Sequence, residues 1–343
     1  MEIAILGLPQ SGKSTLFEIM TGVCSRERFG EPTVRGMVRV PDTRFDELVR
    51  IFSPAKVSPA QVPFIDVNAT GEDAWSGLRN LAGTADGMVH VLDAFTFADV
   101  DEIVKHYRKL ADELVISDLM IVENRLARLA KTAKTQLKPE DAVHADVLPR
   151  LKEALEAGTA AREMAITPNE QKALRSFALW TLKPELIVLN TAEGNRALVE
   201  EFIARTKITT PVVGICAQME MEIAELSSEE RAPFLEEMGI AEPAFERIIQ
   251  NAFTQLERIC YFTVGEDEVK AWVIPAGSTA PKAASAIHKD FERGFIKAEV
   301  VAYDDFIASG GTLAAAKAAG RMRLEGKEYI VKDGDIISFR FNV

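Results

Sequence analysis

Eight residues near the start of the chain, Gly7-Leu8-Pro9-Gln10-Ser11-Gly12-Lys13-Ser14, constrain its fold more than any others. An apolar run, Ile3-Ala4-Ile5-Leu6, precedes them, and Lys13–Met20 opens as a helix after them. The pattern G-x-x-x-x-G-K-[ST] between a strand and a helix is a phosphate loop. Its glycines let the backbone curl until successive N–H groups face one point, and the helix adds the positive end of its dipole. On this reading Gly7, Pro9, Gln10, Ser11, Gly12, Lys13, Ser14 and Thr15 cradle the phosphates of a purine nucleotide, ATP or GTP. Lys13 reaches the β- and γ-phosphates as the catalytic side chain, and Ser14 places its hydroxyl on Mg2+. The loop requires a buried strand before it, which commits this part of the chain to an α/β fold.

The remaining pattern agrees. Val62–Val67, Gly87–Leu92, Leu186–Asn190 and Pro211–Ile215 are apolar runs of strand length separated by helical stretches. That alternation predicts a doubly wound, mostly parallel sheet. Residues 107–165 break the rhythm. Leu119, Val122, Leu126 and Leu129 recur at spacings of three and four, Lys138-Pro139 interrupts, and Leu148, Leu151 and Leu155 resume. Two amphipathic helices in an antiparallel hairpin are expected, inserted within the α/β domain. Beyond residue 258, Val269–Ile274 and Ala298–Val301 read as strands and Pro281–Phe291 as a helix. Tyr329–Val331 and Ile336–Phe341 flank an Asp333-Gly334 turn signal. The domains expected are 1–106 with 166–258, the hairpin 107–165, and a small mixed sheet over 259–343.

A phosphate-loop protein holds Mg2+ with an acid at a neighbouring strand end. Asp66, closing Val62–Asp66, is the candidate beside Ser14. GTPases continue this acid as Asp-x-x-Gly, but the chain reads Asp66-Val67-Asn68-Ala69-Thr70-Gly71. Either Gly71 substitutes after a two-residue insertion, or γ-phosphate sensing is lost. Thr33 is the only threonine between Arg26 and Arg35, and it is either a Mg2+-shell residue or a plain loop residue. Where guanine-specific proteins carry Asn-Lys-x-Asp, the chain has Asn190-Thr191-Ala192-Glu193. The stacking lysine is gone and the aspartate has become a longer glutamate, so a strong guanine preference is not expected. Asn190 is either a base reader or a helix cap. Cys216-Ala217-Gln218, after the next strand, is placed to present a backbone N–H to the purine.

The chain of 343 residues carries a net charge of −12, so bulk attraction to nucleic acid is excluded and DNA is not an expected partner. An RNA contact would need a local basic patch. No run approaches the roughly 20 apolar residues of a membrane span, and the N-terminus reads as a buried strand rather than a signal peptide. Three cysteines, Cys24, Cys216 and Cys260, are widely separated, as a reducing cytoplasm allows.

Several longer stretches carry a family resemblance: Val269-Lys270-Ala271-Trp272, Ile287-His288-Lys289-Asp290-Phe291-Glu292-Arg293-Gly294-Phe295-Ile296, Ala302-Tyr303-Asp304-Asp305-Phe306 and Ile337-Ser338-Phe339-Arg340-Phe341. With the phosphate loop and Asn190–Glu193, they make the sequence resemble the YchF branch of the Obg family of P-loop GTPases over nearly its whole length. The resemblance implies a G domain, an inserted helical hairpin and a terminal TGS domain of ubiquitin-like β-grasp fold. It implies ATP preferred over GTP, hydrolysis with Mg2+, and association with the ribosome or ribosomal RNA, while the chain's departures from the family make slow hydrolysis the expectation. By resemblance Asn190, Thr191 and the Cys216–Met219 loop line the purine pocket. The chain departs from the family at the switch around Asp66, at the stretch Phe29–Val34, and after His90-Val91, where no histidine follows before His106. A nucleotide-gated adaptor with negligible hydrolysis, or a GTPase, are the alternatives. Lys282, Lys289, Arg293 and Lys297 form either a partner face or a solvated one.

Overall fold

The four apolar residues ahead of the phosphate loop form β1 (Ile3–Leu6), buried throughout as an inner parallel strand must be. The computed structural model describes residues 1–25, 31–68, 82–97, 99–131, 138–192, 195, 197–238 and 242–342. After β1 come α1 (Lys13–Thr21), β2 (Thr33–Arg39), α2 (Thr43–Phe52), β3 (Lys56–Ser58), β4 (Gln61–Val67), β5 (Gly87–Ala94), α3 (Val100–Lys131) and α4 (Pro139–Glu156). Then follow α5 (Pro168–Leu174), β6 (Glu185–Thr191), α6 (Ala197–Thr206), β7 (Val212–Ile215), α7 (Ala217–Glu225), α8 (Ser228–Glu237) and α9 (Ala244–Gln255). The C-terminal part has β8 (Arg258–Thr263), β9 (Glu268–Pro275), α10 (Ala280–Ala284), α11 (Lys289–Arg293), β10 (Phe295–Ala302), α12 (Tyr303–Ala308), α13 (Leu313–Ala318), β11 (Arg323–Glu325) and β12 (Asp335–Phe341). The chain divides into two units, Met1–Gly36 with Pro63–Ile248, and Met37–Val62 with Ile249–Val343.

The sheet of the first unit runs in the order β2-β4-β1-β5-β6-β7. β1 is parallel to both neighbours, with Ile5 opposite Asp66 on β4 and Leu6 opposite His90 on β5. Asp93 stands opposite Asn190 across β5 and β6, and Asn190 opposite Ile215 across β6 and β7. Strand order reverses at β1, and ligands of such sheets bind outside the carboxyl ends at that reversal.

One helix serves two cores. The start of α3 buries Ile103 and Val104 against Leu92 and Ile187 of the sheet and Leu198 and Phe202 of α6. Leu110 and Leu114 join Leu6, Met88 and Trp180. Further along, Val115 and Val122 leave the sheet and pack with Val147, Leu148, Leu151 and Leu155 of α4, so the leucine stripes form the seam of the hairpin. Arg125 pairs with Asp141, and Glu123 lies 2.9 Å from Lys152. Pro139 occupies the first turn of α4, where its missing N–H costs nothing. Asp118, fully buried on α3, accepts hydrogen bonds from Trp180 N (3.1 Å), Thr181 N (2.7 Å) and Thr181 Oγ1 (2.8 Å). This carboxylate fastens the hairpin to the segment leading into β6.

The second unit has a mixed sheet, β11-β10-β12-β8-β9-β3. β8 and β9 are antiparallel, as are β10 and β12, while β12 runs parallel to β8 and β3 parallel to β9. α10 lies on it through Ala280, Ala283 and Ala284 against Tyr261, Ile274, Ala298 and Ile337. Trp272 and Phe291 pack at the margin of this core.

Two local expectations are corrected here. Pro281–Phe291 is not one helix but α10 and α11, separated where His288 turns extended (φ −160°) and its ring nitrogen caps Asp290 N at 3.3 Å. Tyr329–Val331 forms no strand with Ile336–Phe341. Its backbone bonds instead to the start of α10 and the residues just before it, Val331 N to Ser278 O (3.0 Å) and Ala280 N to Tyr329 O (2.8 Å), so the Gly334 turn (φ 83°) joins no hairpin. β3, with α2 before it, supplies this unit with an edge strand and an aromatic face. Phe45 lies 6.2 Å from Phe262, and Phe52 stacks at 5.8 Å on Phe306.

Candidate nucleotide-binding site

The phosphate loop leaves the buried end of β1 and closes on Gly12, which caps α1 with φ 92°. Two of its residues are glycines for steric reasons. A Cβ on Gly7 would stand 2.5 Å from Val91 O and 2.6 Å from Ser11 Oγ, and one on Gly12 would stand 2.4 Å from Asn190 Nδ2. Pro9 and Gln10 are exposed at the tip, with Gln10 in the left-handed region (φ 68°). Ser11 is buried, and its hydroxyl finds no partner among the described residues. Lys13, Ser14 and Thr15 start α1 half-buried. Burial pulls the Lys13 ammonium below its usual pKa, and the Asp66 carboxylate opposes that shift.

Asp66 is the most unusual residue of the group. It is fully buried, one strand from β1, and neither carboxylate oxygen has a hydrogen-bond partner among the described residues. A buried carboxylate without donors is destabilising unless a cation is close. Among the described residues no three His, Cys, Asp or Glu converge. A metal here would draw the rest of its shell from phosphate oxygens and water, the usual manner of Mg2+ with nucleotides. The orphaned carboxylate and the Ser14 hydroxyl fit that ion.

Asn190 ends its strand beside the loop and holds two segments at once. Its Nδ2 donates to Ser11 O at 3.3 Å, and its Oδ1 accepts from Ala217 N at 3.1 Å. One amide hydrogen and one lone pair stay available for a base. Thr191 is buried and donates through Oγ1 to Ile215 O at 3.0 Å. Cys216 is the half-buried N-cap residue of α7, Ala217 is buried, and Gln218 is exposed. The structure therefore brings the phosphate loop, Asp66, Asn190, Thr191 and Cys216–Gln218 to the carboxyl ends of β1, β4, β6 and β7. The bracing role of Asn190 had no signal in the sequence, since it depends on loops 179 and 27 residues away.

Other candidates fall elsewhere. Thr33 starts β2, and Gly71 and Glu193 lie outside the described residues. His106 is on α3, half-buried and edge-on to Phe97 at 4.7 Å. At the end of β5, Asp93 Oδ1 accepts from Phe95 N (3.1 Å) and Thr96 N (2.9 Å). No described helix is long and apolar enough to cross a membrane.

A ribosome-binding ATPase YchF from Bacillus subtilis is 40% identical to the chain, over 99% of the chain and 98% of that protein. The chain belongs to the YchF family. A second relative, Obg-like ATPase 1 from Gallus gallus, is 32% identical over 100% of the chain and 92% of its own length. The C-terminal YchF-GTPase family model, described as a protein of unknown function (DUF933), matches residues 258–342. The solved YchF GTPase from Schizosaccharomyces pombe superimposes with a TM-score of 0.84 at 25% identity, covering 99% of the chain and 97% of that structure. YchF membership accords with the layout above: a phosphate-loop α/β core, a helical hairpin and a C-terminal mixed sheet.

Proposed function

We propose that the chain is a Mg2+-dependent purine nucleoside triphosphatase that binds ATP in preference to GTP, hydrolyses it slowly and associates with the ribosome. What supports this reading is the buried, donor-free Asp66 carboxylate on the strand beside β1, close enough to the Lys13 ammonium to act on it, with Ser14 next to Lys13 at the start of α1. Gly7–Thr15 would bind the phosphates through backbone N–H groups, Lys13 would offset charge developing in phosphoryl transfer, and Ser14 and Asp66 would hold Mg2+. When bound, the ion neutralises phosphate charge. Asn190, Thr191 and the Cys216–Gln218 backbone would face the purine, with no lysine to stack on it. The names of the relatives, ribosome-binding ATPase and Obg-like ATPase, support the nucleotide and the ribosome. Slow turnover is expected because the chain lacks the Asp-x-x-Gly glycine, and no histidine precedes His106 after β5.

Single-turnover hydrolysis of ATP and GTP with Mg2+ tests the reading, beside equilibrium binding of their non-hydrolysable analogues. ATP is expected to bind tighter and turn over, and Lys13→Ala to abolish turnover. GTP binding tenfold tighter, a difference of about 1.4 kcal/mol, would overturn the adenine preference. ATP that binds and persists intact for hours would make the protein a nucleotide-gated adaptor.

A further inference from the structure

Away from the nucleotide site, α3 and α6 of the first unit enclose an open groove of about 720 Å³. Its floor is Val104, and charged side chains make up the rest of its lining. Two of its cations are already paired. Arg205 lies 2.9 Å from Asp101, and Lys105 lies 3.3 Å from Glu102. The other two, Arg108 and Lys109, are exposed and have no acidic partner among the described residues. They sit one turn beyond Lys105, on the helix face that also carries Asp101. Asp112 is the second carboxylate of the lining, so with Glu102 paired to Lys105 the four cations face three acids. This excess stands on a chain whose net charge is −12.

We infer that this groove is a docking surface for the phosphate backbone of RNA. The inference rests on the ribosome association proposed above and assigns it a place on the chain. A protein partner of ordinary affinity seats an apolar or aromatic core, and a groove whose apolar content is Val104 offers none. A phosphodiester chain needs no such core. It needs unpaired cations, and guanidinium groups meet phosphate oxygens through parallel N–H donors. The binding is sequence-independent and weakens steeply with salt.

The test is co-sedimentation of the full chain with salt-washed 70S ribosomes, together with direct titration of protein-free ribosomal RNA. The variants are Arg108→Glu/Lys109→Glu and, as a control of equal charge change, Lys317→Glu/Lys327→Glu on the second unit. ATP-analogue binding reports that each variant is folded. The groove variant is expected to lose about tenfold or more in affinity for both ribosome and RNA, and to flatten the salt dependence by about two phosphate contacts. The control is expected to bind as the wild type does. If the groove variant sediments with ribosomes like the wild type, the groove inference fails and ribosome association stands. If the control loses as much as the groove variant, bulk charge is responsible and the groove inference fails. If the groove variant loses the ribosome while wild type ignores bare RNA, the groove serves an acidic protein and the RNA assignment is overturned. If the wild type does not sediment at all, ribosome association itself fails.

Discussion

A carboxylate held in a protein interior without donors opposes folding, and Asp66 is such a group. A cation and a nucleotide as its partners would offset that cost, so that stability and binding pull in opposite directions at this position. Asp66→Asn is therefore expected to raise the melting temperature of the nucleotide-free protein by about 2–4 °C, roughly 1 kcal/mol. The same change is expected to remove the Mg2+-dependent part of nucleotide affinity, at least about tenfold. Thermal scans of the nucleotide-free protein and titrations with and without Mg2+ measure the two effects separately. A lower melting temperature would show that attraction to Lys13 outweighs the desolvation of the carboxylate. At this scale the sequence was informative about residue type. A strand-end aspartate after a phosphate loop is a candidate by its position alone, and so are Lys13 and Ser14 by the motif. The isolation of Asp66 and the bracing by Asn190 were not legible, because both depend on which donors other loops bring near.

Among the elements, β5, β6 and the segment after α4 share a buried charge cluster. Glu185 lies 3.2 Å from His90 Nδ1 and bonds Arg162, which also donates to Thr181 O (3.1 Å) and Lys183 O (3.2 Å). Burial alone would raise the Glu185 carboxyl, but Arg162 and His90 together hold it below its ordinary value of 4.5. A carboxyl with a depressed folded pKa stabilises the protein above its unfolded value, and that stability is lost as pH falls through the folded value. The wild type is thus expected to weaken on acidification below about pH 4.5. Glu185→Gln is expected to cost about 3–5 kcal/mol at pH 7, since it strands the Arg162 charge, and to flatten this acid slope. Urea midpoints at pH 7 and pH 4 check both parts. An unchanged acid slope would remove Glu185 from the account. The strand itself was readable from its apolar run, Leu186–Asn190. The partners of Glu185 were not, because they come from a helix-linked segment 23 residues earlier and a strand 95 residues earlier.

For the whole molecule, the division into units decides what folds together. Residues 37–62 belong with the C-terminal strands, through β3 paired to β9, Phe45 beside Phe262, Phe52 on Phe306, and Arg44 2.8 Å from Asp333. A fragment of residues 259–343 alone is expected to unfold without a cooperative transition, while the same fragment fused to residues 37–62 by a flexible linker should melt cooperatively. Circular dichroism melts of the two distinguish them, and a cooperative melt of the shorter fragment would show that α2 and β3 are dispensable. The sequence by itself determined the phosphate loop, the inner parallel strands, the leucine seam of the hairpin and the YchF family, because each is written in local spacing or in contiguous motifs. Only the tertiary structure decided where α2 and β3 go, why Pro281–Phe291 breaks at His288, what Tyr329–Val331 pairs with, and that Asp66 stands without a donor. Each of those outcomes follows from contacts between segments far apart in the chain, where the free energy of packing and hydrogen bonding outweighs local preference.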